Sequence, residues 1–195
     1  VSPESVTAAI EAATMAADGN YPVSLVFPIL KNQRSDWIVQ KATELGVDHL
    51  VPFFFDRSVV RPNRDRHAAR FVRIAHEACK QCERGRPPAV APETDSFDEL
   101  RAILDAQGPA LRILPWEKGT APLASVLRAA DAPAARYVLA VGPEGGLAED
   151  EVARFESAGF VPVRLGRNIL RSETAAIASL ACLVYDVFDS EDRPG

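Results

Sequence analysis

Three segments rich in glycine, proline and arginine hold most of the residues that could bind a ligand or do chemistry. They read LPWEKGT (114–120), VGPEGGLAEDE (141–151) and LGRNILRSETAA (165–176). Each follows a short apolar run that predicts a buried strand. In an open α/β sheet, ligands collect beyond the carboxyl ends of the strands, where loops lead into helices. We therefore expect the three segments to meet in one pocket.

The second segment suits a ligand that comes close to the main chain. Gly142, Gly145 and Gly146 lie between a predicted strand and a predicted helix, and glycine lets a ligand approach the backbone. The Lys-Ser/Thr pair of a P-loop and the G-x-G-x-x-G of a dinucleotide fingerprint are both missing here. Glu144 would also repel phosphate. The residues favour a pocket for a nucleoside without phosphates, and an ordinary strand-to-helix turn accounts for the glycines equally well.

The third segment combines a polar helix start with a cation and two apolar residues. Ser172 and Thr174 are typical of a capped helix N-terminus. Ile169 and Leu170 are apolar although they lie in a predicted loop, so they can line a slot of adenine size. Arg171 lies where a cation could touch a substrate.

A local basic segment lies within a chain of acidic total charge. The formal net charge is −5, which argues against a protein that coats nucleic acid indiscriminately. Between Arg57 and Arg86, however, nine Arg and Lys residues face three carboxylates. This excess predicts either contacts with nucleic-acid phosphates or a solvated helix with its flanking loops.

The cysteines predict neither a disulfide framework nor a metal site. Cys79, Cys82 and Cys182 are too few for a disulfide scaffold, which fits a reducing cytoplasm. Cys79 and Cys82 with His76 would spread too far around one helix to close a tetrahedral zinc site, so two half-buried thiols are favoured.

No apolar run is long enough to cross a bilayer and no signal peptide opens the sequence. We expect a cytoplasmic protein without a membrane partner.

The apolar pattern predicts strands and helices in alternation. The predicted strands cover residues 23–27, 49–54, 110–114, 136–141 and 161–165. The predicted helices run from Arg34 or Ser35 to the stop at Gly46, and over 65–84, 96–106, 121–130, 148–158 and 173–188. Strands separated by single helices require an α/β fold, a mostly parallel sheet flanked by helices. Residues 1–20 are an ambiguous lead-in, and 21–195 form one domain.

Four segments together carry a resemblance to a known family. They are residues 31–60 (KNQRSDWIVQKATELGVDHLVPFFFDRSVV), 77–90 (EACKQCERGRPPAV), 141–151 and 165–176. Their order and wording are similar to those of the RsmE family of 16S ribosomal RNA uridine N3-methyltransferases, which belongs to the SPOUT superfamily. The resemblance extends from about residue 23 to the C-terminal helix.

The resemblance implies a fold, a cofactor and a partner. It implies a trefoil knot in the C-terminal part, S-adenosylmethionine held by the knot loops, and a homodimer whose interface completes each site. It also implies that residues 1–20 are the remnant of an N-terminal RNA-binding barrel of the PUA type. The cofactor-binding residues it implies are Leu114, Trp116, Glu117, Gly142, Pro143, Glu144, Gly145, Gly146, Leu165, Gly166, Ile169, Leu170, Thr174 and Ala175.

The implied reaction suggests roles for two further residues. Uracil N3 lies on the Watson–Crick edge, so the target uridine of the 16S RNA must be unpaired or flipped out. We expect Arg171 to stabilise negative charge on the uracil carbonyls, and Glu173 either to orient Arg171 or to act as the base. A plain carboxylate interacting with the helix dipole is the alternative for Glu173. The candidate RNA contacts are Arg57, Arg61, Gln81 and Arg84, with Gln81 and Arg84 on one helix face.

Two other functions fit the same sequence. One is an RNA-binding module that keeps the fold without catalysis, and the other is a SPOUT enzyme that acts on a different RNA. Binding of S-adenosylmethionine distinguishes the first of these from an enzyme.

Overall fold

The computed structural model describes residues 20–60, 67–129 and 134–188, so Arg61 and most of the predicted lead-in lie outside the described residues. The strands are β1 Tyr21–Pro28, β2 Val47–Phe53, β3 Ala89–Val90, β4 Leu111–Pro115, β5 Ala121–Pro122, β6 Tyr137–Ala140 and β7 Phe160–Arg164. The helices are α1 Arg34–Glu44, α2 Ala68–Gln81, α3 Phe97–Asp105, α4 Leu123–Arg128, α5 Glu149–Ser157 and α6 Ser172–Leu183. A π-helical segment, Val184–Phe188, follows α6.

The strands form one parallel sheet in the order β3-β2-β1-β6-β4-β7-β5. Every strand pairing is parallel, which confirms the predicted α/β class. Because parallel strands share a direction, their carboxyl ends all lie at one edge of the sheet. The loops that follow β1, β2, β4, β6 and β7 therefore start from the same edge.

Both faces of the sheet are covered by helices. Successive side chains of a strand point to opposite faces, and Phe27 and Val26 accordingly belong to two separate core clusters. On one face Phe27 packs edge-on against Phe71 of α2, and Leu180 of α6 belongs to the same cluster. On the other face Phe155 of α5 packs in the cluster of Val26. A sheet held on both sides gives its edge loops a rigid support.

Helix α1 confirms its prediction, and the predicted end of α2 is wrong. Gly46 follows α1 with φ 84°, the left-handed conformation expected of the residue that stops a helix. Helix α2 ends at Gln81, because Glu83 turns left-handed at φ 58° and the Arg84 N–H donates to the Cys79 carbonyl at 3.1 Å. Arg84 therefore lies beyond the helix, and the prediction that it shares a helix face with Gln81 is wrong.

Two short strands escaped the sequence analysis. Ala89–Val90 and Ala121–Pro122 have two residues each, which is too few for an alternating pattern to appear. The second of them replaces the predicted start of a helix at residue 121, and α4 begins at Leu123. Among the described residues, no helix is long and apolar enough to span a bilayer.

Candidate functional site

The three predicted segments meet in one cavity of about 880 Å³ at the carboxyl edge of the sheet. This confirms that they converge. The predicted cofactor residues that line the cavity are Trp116, Glu117, Gly142, Pro143, Glu144, Gly145, Gly146, Leu165, Gly166, Ile169, Leu170 and Ala175. Arg171 lines it as well.

Three of the predicted cofactor-binding and catalytic residues lie outside the cavity lining. Leu114 is fully buried within β4, where it packs in the core, so the lining on this strand begins at Pro115. Thr174 is exposed on α6. The Glu173 side chain is 13% exposed and contacts Arg34 rather than Arg171. A cofactor role for Leu114 and Thr174 stays a prediction.

The glycine-rich loop after β6 is a tight turn that touches both of the other segments. Gly146 has φ 68°, and its N–H donates to the Pro143 carbonyl at 3.0 Å. The left-handed φ of Gly146 favours glycine, and a Cβ there would lie 3.2 Å from a carboxylate oxygen of Glu117, a close contact that this flexible side chain could relieve by a small shift. The Ser172 hydroxyl donates to the Gly142 carbonyl at 2.6 Å and ties the start of α6 to the loop.

Trp116 brings a polar group to the cavity that the described residues leave without a hydrogen bond. Its indole Nε1 is buried and finds no acceptor among them. The backbone N–H of Trp116 donates to the Val163 carbonyl at 2.8 Å, which fixes the residue against β7. An unpartnered donor in a residue that lines a cavity suits a ligand with an acceptor atom.

Arg34 is a site residue that sequence reasoning missed. Its guanidinium lies 2.8 Å from Glu144 Oε1 and 4.0 Å from Glu173 Oε2, so it joins α1 to the glycine-rich loop and to α6. Asn32 and Gln33 precede it with φ 56° and 61°, a left-handed turn that carries the chain from β1 into α1. The signal was available, because the residues after β1 must reach the same edge as the other three loops.

Substituting Arg34 with alanine is expected to lower the free energy of unfolding by about 1–3 kcal/mol, because Glu173 would lose its counter-ion while staying largely buried. Denaturant unfolding measures the change. The matched control is Arg70→Ala, which removes an ion pair between Arg70 and Asp36 away from the cavity. Equal losses in the two variants would contradict a special role for Arg34.

The cavity carries more positive than negative charge. Its charged lining residues are Arg34, Arg164, Arg167, Arg171, Glu117 and Glu144. Arg171 is exposed, and none of the described residues forms an ion pair with it. The surplus of guanidinium groups suits a substrate that is anionic or becomes so during a reaction.

The three predicted RNA contacts that the structure describes, Arg57, Gln81 and Arg84, have different surroundings. Arg57 donates to the Gly145 carbonyl at 3.3 Å and so lies against the cavity loop. Gln81 lines a separate groove of about 630 Å³, and half-exposed Trp37 lies in the same groove. The Arg84 guanidinium donates to the carbonyls of Thr43 and Val47, so it supports the backbone near α1. Those bonds favour a structural role for Arg84.

The cysteines are free thiols, and the described residues form no metal centre. Cys79, Cys82 and Cys182 form no disulfide. The Cys79 thiol donates to the Arg84 carbonyl at 3.2 Å. Within the described ranges, no group of three or more His, Cys, Asp or Glu side chains is placed to hold a metal ion.

Comparison with known proteins assigns the chain to a protein family. The model of a family described as an RNA methyltransferase domain matches residues 18–184, which include every segment of the cavity. The chain belongs to this family. The match extends from just before β1 through α6, so the RNA methyltransferase domain accounts for nearly all of the described fold.

The relatives confirm the resemblance predicted from the sequence. Ribosomal RNA small subunit methyltransferase E of Synechocystis is 35% identical over 82% of this chain. A ribosomal RNA small subunit methyltransferase E of Neisseria gonorrhoeae, crystallised with S-adenosyl methionine, is 32% identical over 85% of this chain, with a TM-score of 0.71. A protein of Legionella pneumophila crystallised with the same cofactor is 27% identical over 85% of this chain, also with a TM-score of 0.71.

This chain spans only part of the length of these proteins. It spans 52% of the Synechocystis relative. It also spans 66% of the Neisseria chain and 66% of the Legionella chain.

Proposed function

We propose that this chain is an S-adenosylmethionine-dependent methyltransferase that modifies N3 of a uridine in 16S ribosomal RNA. The observation that carries the proposal is the convergence of three loops on one cavity with an unpaired arginine at its wall. The names of the similar proteins support the ribosomal RNA substrate and the cofactor.

The cavity fits the proposed cofactor in size and chemistry. Its volume of about 880 Å³ lies within the range of small-molecule sites. The loop after β6 offers close backbone contact without a phosphate-binding motif, as a nucleoside requires. Glu117 provides a carboxylate without an ion-pair partner among the described residues for a ligand that carries a sulfonium and an ammonium group, and the indole Nε1 of Trp116 is a donor without a partner among them. When bound, the cofactor supplies a methyl group that is already activated.

Arg171 is proposed as the catalytic cation. Uracil N3 must lose its proton before or while it accepts a methyl group, and until the new N–C bond has formed the negative charge lies on N3 and on the two neighbouring carbonyl oxygens. A guanidinium without a carboxylate partner can donate to these oxygens and stabilise the charge. Arg171 meets this requirement, because it is exposed and lines the cavity.

Glu173 is proposed to act next to Arg34. Its Oε2 is buried and accepts no hydrogen bond from the described residues, so an acceptor is free close to the site. The guanidinium of Arg34 lies 4.0 Å from this oxygen. The role of Glu173 as the acceptor of the N3 proton therefore stays a proposal, and its contact with Arg34 is an addition from the structure. This placement gives no support for a contact with Arg171.

Two further features follow from the resemblance and remain proposals. We propose that Arg57, which contacts the cavity loop at Gly145, and Arg61, which lies outside the described residues, contact RNA phosphates while the target uridine is flipped out of its stack. We also propose a trefoil knot that involves the loops after β4 and β7. Arg164 Nε donates to the Thr120 carbonyl at 3.2 Å, which brings these two segments into direct contact.

A homodimer is proposed on the outer face of α6. Helix α6 is apolar on nearly all sides, a pattern typical of a helix buried on every side. Residues at helical spacing nevertheless leave a stripe at least partly open to solvent, which runs from α6 into the π-helical segment and consists of Thr174, Ala178, Ala181, Cys182 and Tyr185. Tyr185 is 54% exposed.

The three free thiols fit the reducing cytoplasm that we propose as the location.

Substituting Ala181 with arginine is expected to convert the dimer to a monomer, because a long cation would enter the centre of the proposed interface. Size-exclusion chromatography with light scattering measures the mass. Ala153→Arg is the matched control, since Ala153 is exposed on α5, which covers the other face of the sheet. A dimer that survives Ala181→Arg, or a wild-type monomer, would contradict the proposed interface.

The proposed function is tested with purified chain, S-adenosylmethionine and 16S ribosomal RNA. Mass spectrometry of RNA fragments should find 3-methyluridine, and the matched sample without cofactor should not. Methyl transfer to a different RNA, offered in a parallel reaction, would favour a SPOUT enzyme with another RNA substrate. Absence of cofactor binding in calorimetry would favour an RNA-binding module and overturn the proposal.

A further inference from the structure

Glu151 is a buried carboxylate that the proposed chemistry does not use. It lies in the first turn of α5 and is 1% exposed. Its Oε1 accepts the backbone N–H of Asp56 at 2.9 Å, while Oε2 is buried and accepts no hydrogen bond from the described residues. Burial raises the pKa of the Glu151 carboxyl above its usual range. A buried carboxylate is costly for a fold, so this position calls for an explanation.

The segment that Glu151 holds lies directly against the cavity. Arg57 follows Asp56 and donates from Nη1 to the Gly145 carbonyl at 3.3 Å. A Cβ at Gly145 would lie 3.0 Å from Arg57 Cβ and 3.1 Å from the Arg57 carbonyl oxygen, so the two backbones pass without room for a side chain. Gly145 lines the cavity. Any shift of residues 56–57 therefore moves a wall of the site.

Helix α5 makes a second contact with the turn at Asp56 and Arg57. The Arg154 guanidinium forms an ion pair with the Asp56 side chain, and both groups are about half exposed. An exposed pair of this kind holds its partners only weakly. The bond from the Asp56 N–H to Glu151 is the shielded one of the two.

We propose that Glu151 is a positioning residue for the cofactor site, fixing the Asp56–Arg57 turn against Gly145 and so setting the shape of the glycine-rich loop. This inference rests on the proposed function, because it assumes that the cavity binds S-adenosylmethionine. Glu151 acts through Arg57 and does not line the cavity.

The test separates positioning from folding through the choice of substitution. Glu151→Leu removes the acceptor and also the buried charge, so the full chain is expected to stay folded with little loss of stability. Its Kd for S-adenosylmethionine should nevertheless rise about tenfold, which corresponds to roughly 1.4 kcal/mol. Glu151→Gln keeps an oxygen for the Asp56 N–H and should bind the cofactor within about twofold of wild type.

Two controls complete the measurement by isothermal titration calorimetry. Val152→Ala, at a buried neighbour on the same helix, should lower the melting temperature and leave the Kd unchanged. Arg57→Ala should raise the Kd, and the Arg57→Ala/Glu151→Leu pair should raise it no further, because both act through one contact.

Each outcome has a separate meaning. A wild-type Kd in Glu151→Leu, or an equal loss in Val152→Ala, would overturn the positioning role while the proposed function stands. Additive effects in the double variant would overturn the route through Arg57. A wild-type chain that binds no cofactor would instead remove the proposed function itself.

Discussion

Replacing Arg171 with alanine is expected to lower the rate of methyl transfer by roughly 10²–10³-fold, the range seen when one oxyanion-stabilising donor is removed. The physical reason is that the guanidinium acts on charge that develops only as uracil loses its proton. Substrate and cofactor are bound before that charge exists. The cofactor Kd should therefore change by no more than about twofold, and the loss should appear in kcat.

Single-turnover methyl transfer to 16S RNA measures this effect, with calorimetry for the cofactor. Arg167→Ala is the matched control, because Arg167 is also exposed, lies in the same loop and lines the same cavity. It should retain most of the activity. An Arg171→Ala chain that turns over at the wild-type rate would remove Arg171 from the mechanism, and an equal loss in Arg167→Ala would reduce its role to general positive charge.

Replacing Gly119 with alanine is expected to lower the free energy of unfolding by about 1–3 kcal/mol and to weaken cofactor binding strongly. A Cβ there would lie 2.6 Å from the Val163 carbonyl carbon and 2.8 Å from its oxygen, which is backbone that cannot rotate away. The backbone N–H of Trp116 donates a hydrogen bond to the same carbonyl oxygen at 2.8 Å. The strain would therefore displace the loop after β4, which forms one wall of the cavity.

Gly108→Ala controls for the general effect of replacing a glycine. A Cβ at Gly108 meets no atom within 4 Å, although its φ of 88° adds some conformational strain. Thermal unfolding and cofactor titration compare the two variants. Gly119→Ala should lose both stability and binding, whereas Gly108→Ala should bind normally. Normal binding by Gly119→Ala would mean that the loop after β4 is not part of the cofactor site.

The sequence predicted the features that depend on local pattern. Each apolar run is followed by a single helix, and strands connected in this way pair in parallel. A parallel sheet brings the loops after β4, β6 and β7 to one edge. Gly46 signalled the end of α1 because few residues other than glycine adopt its backbone conformation readily. The first of these signals was sufficient to predict that the three loops meet in one cavity.

The features that escaped depend on contacts between distant segments. Nothing in the residues around Arg34 indicates that its partners are Glu144 and Glu173, which lie more than a hundred positions along the chain. Arg84 looked like part of a basic helix because the left-handed turn at Glu83 has no strong sequence signal. The two-residue strands β3 and β5 are too short to show a pattern.

A crystal structure of this chain with S-adenosylhomocysteine tests the central claim most directly. The ligand should lie in the cavity between Trp116, the Gly142–Gly146 turn and Leu170, with its sulfur facing the space beside Arg171. A ligand bound elsewhere, for example in the groove that contains Trp37, would contradict the assignment of the cavity. So would a bound ligand around which the three loops had moved apart.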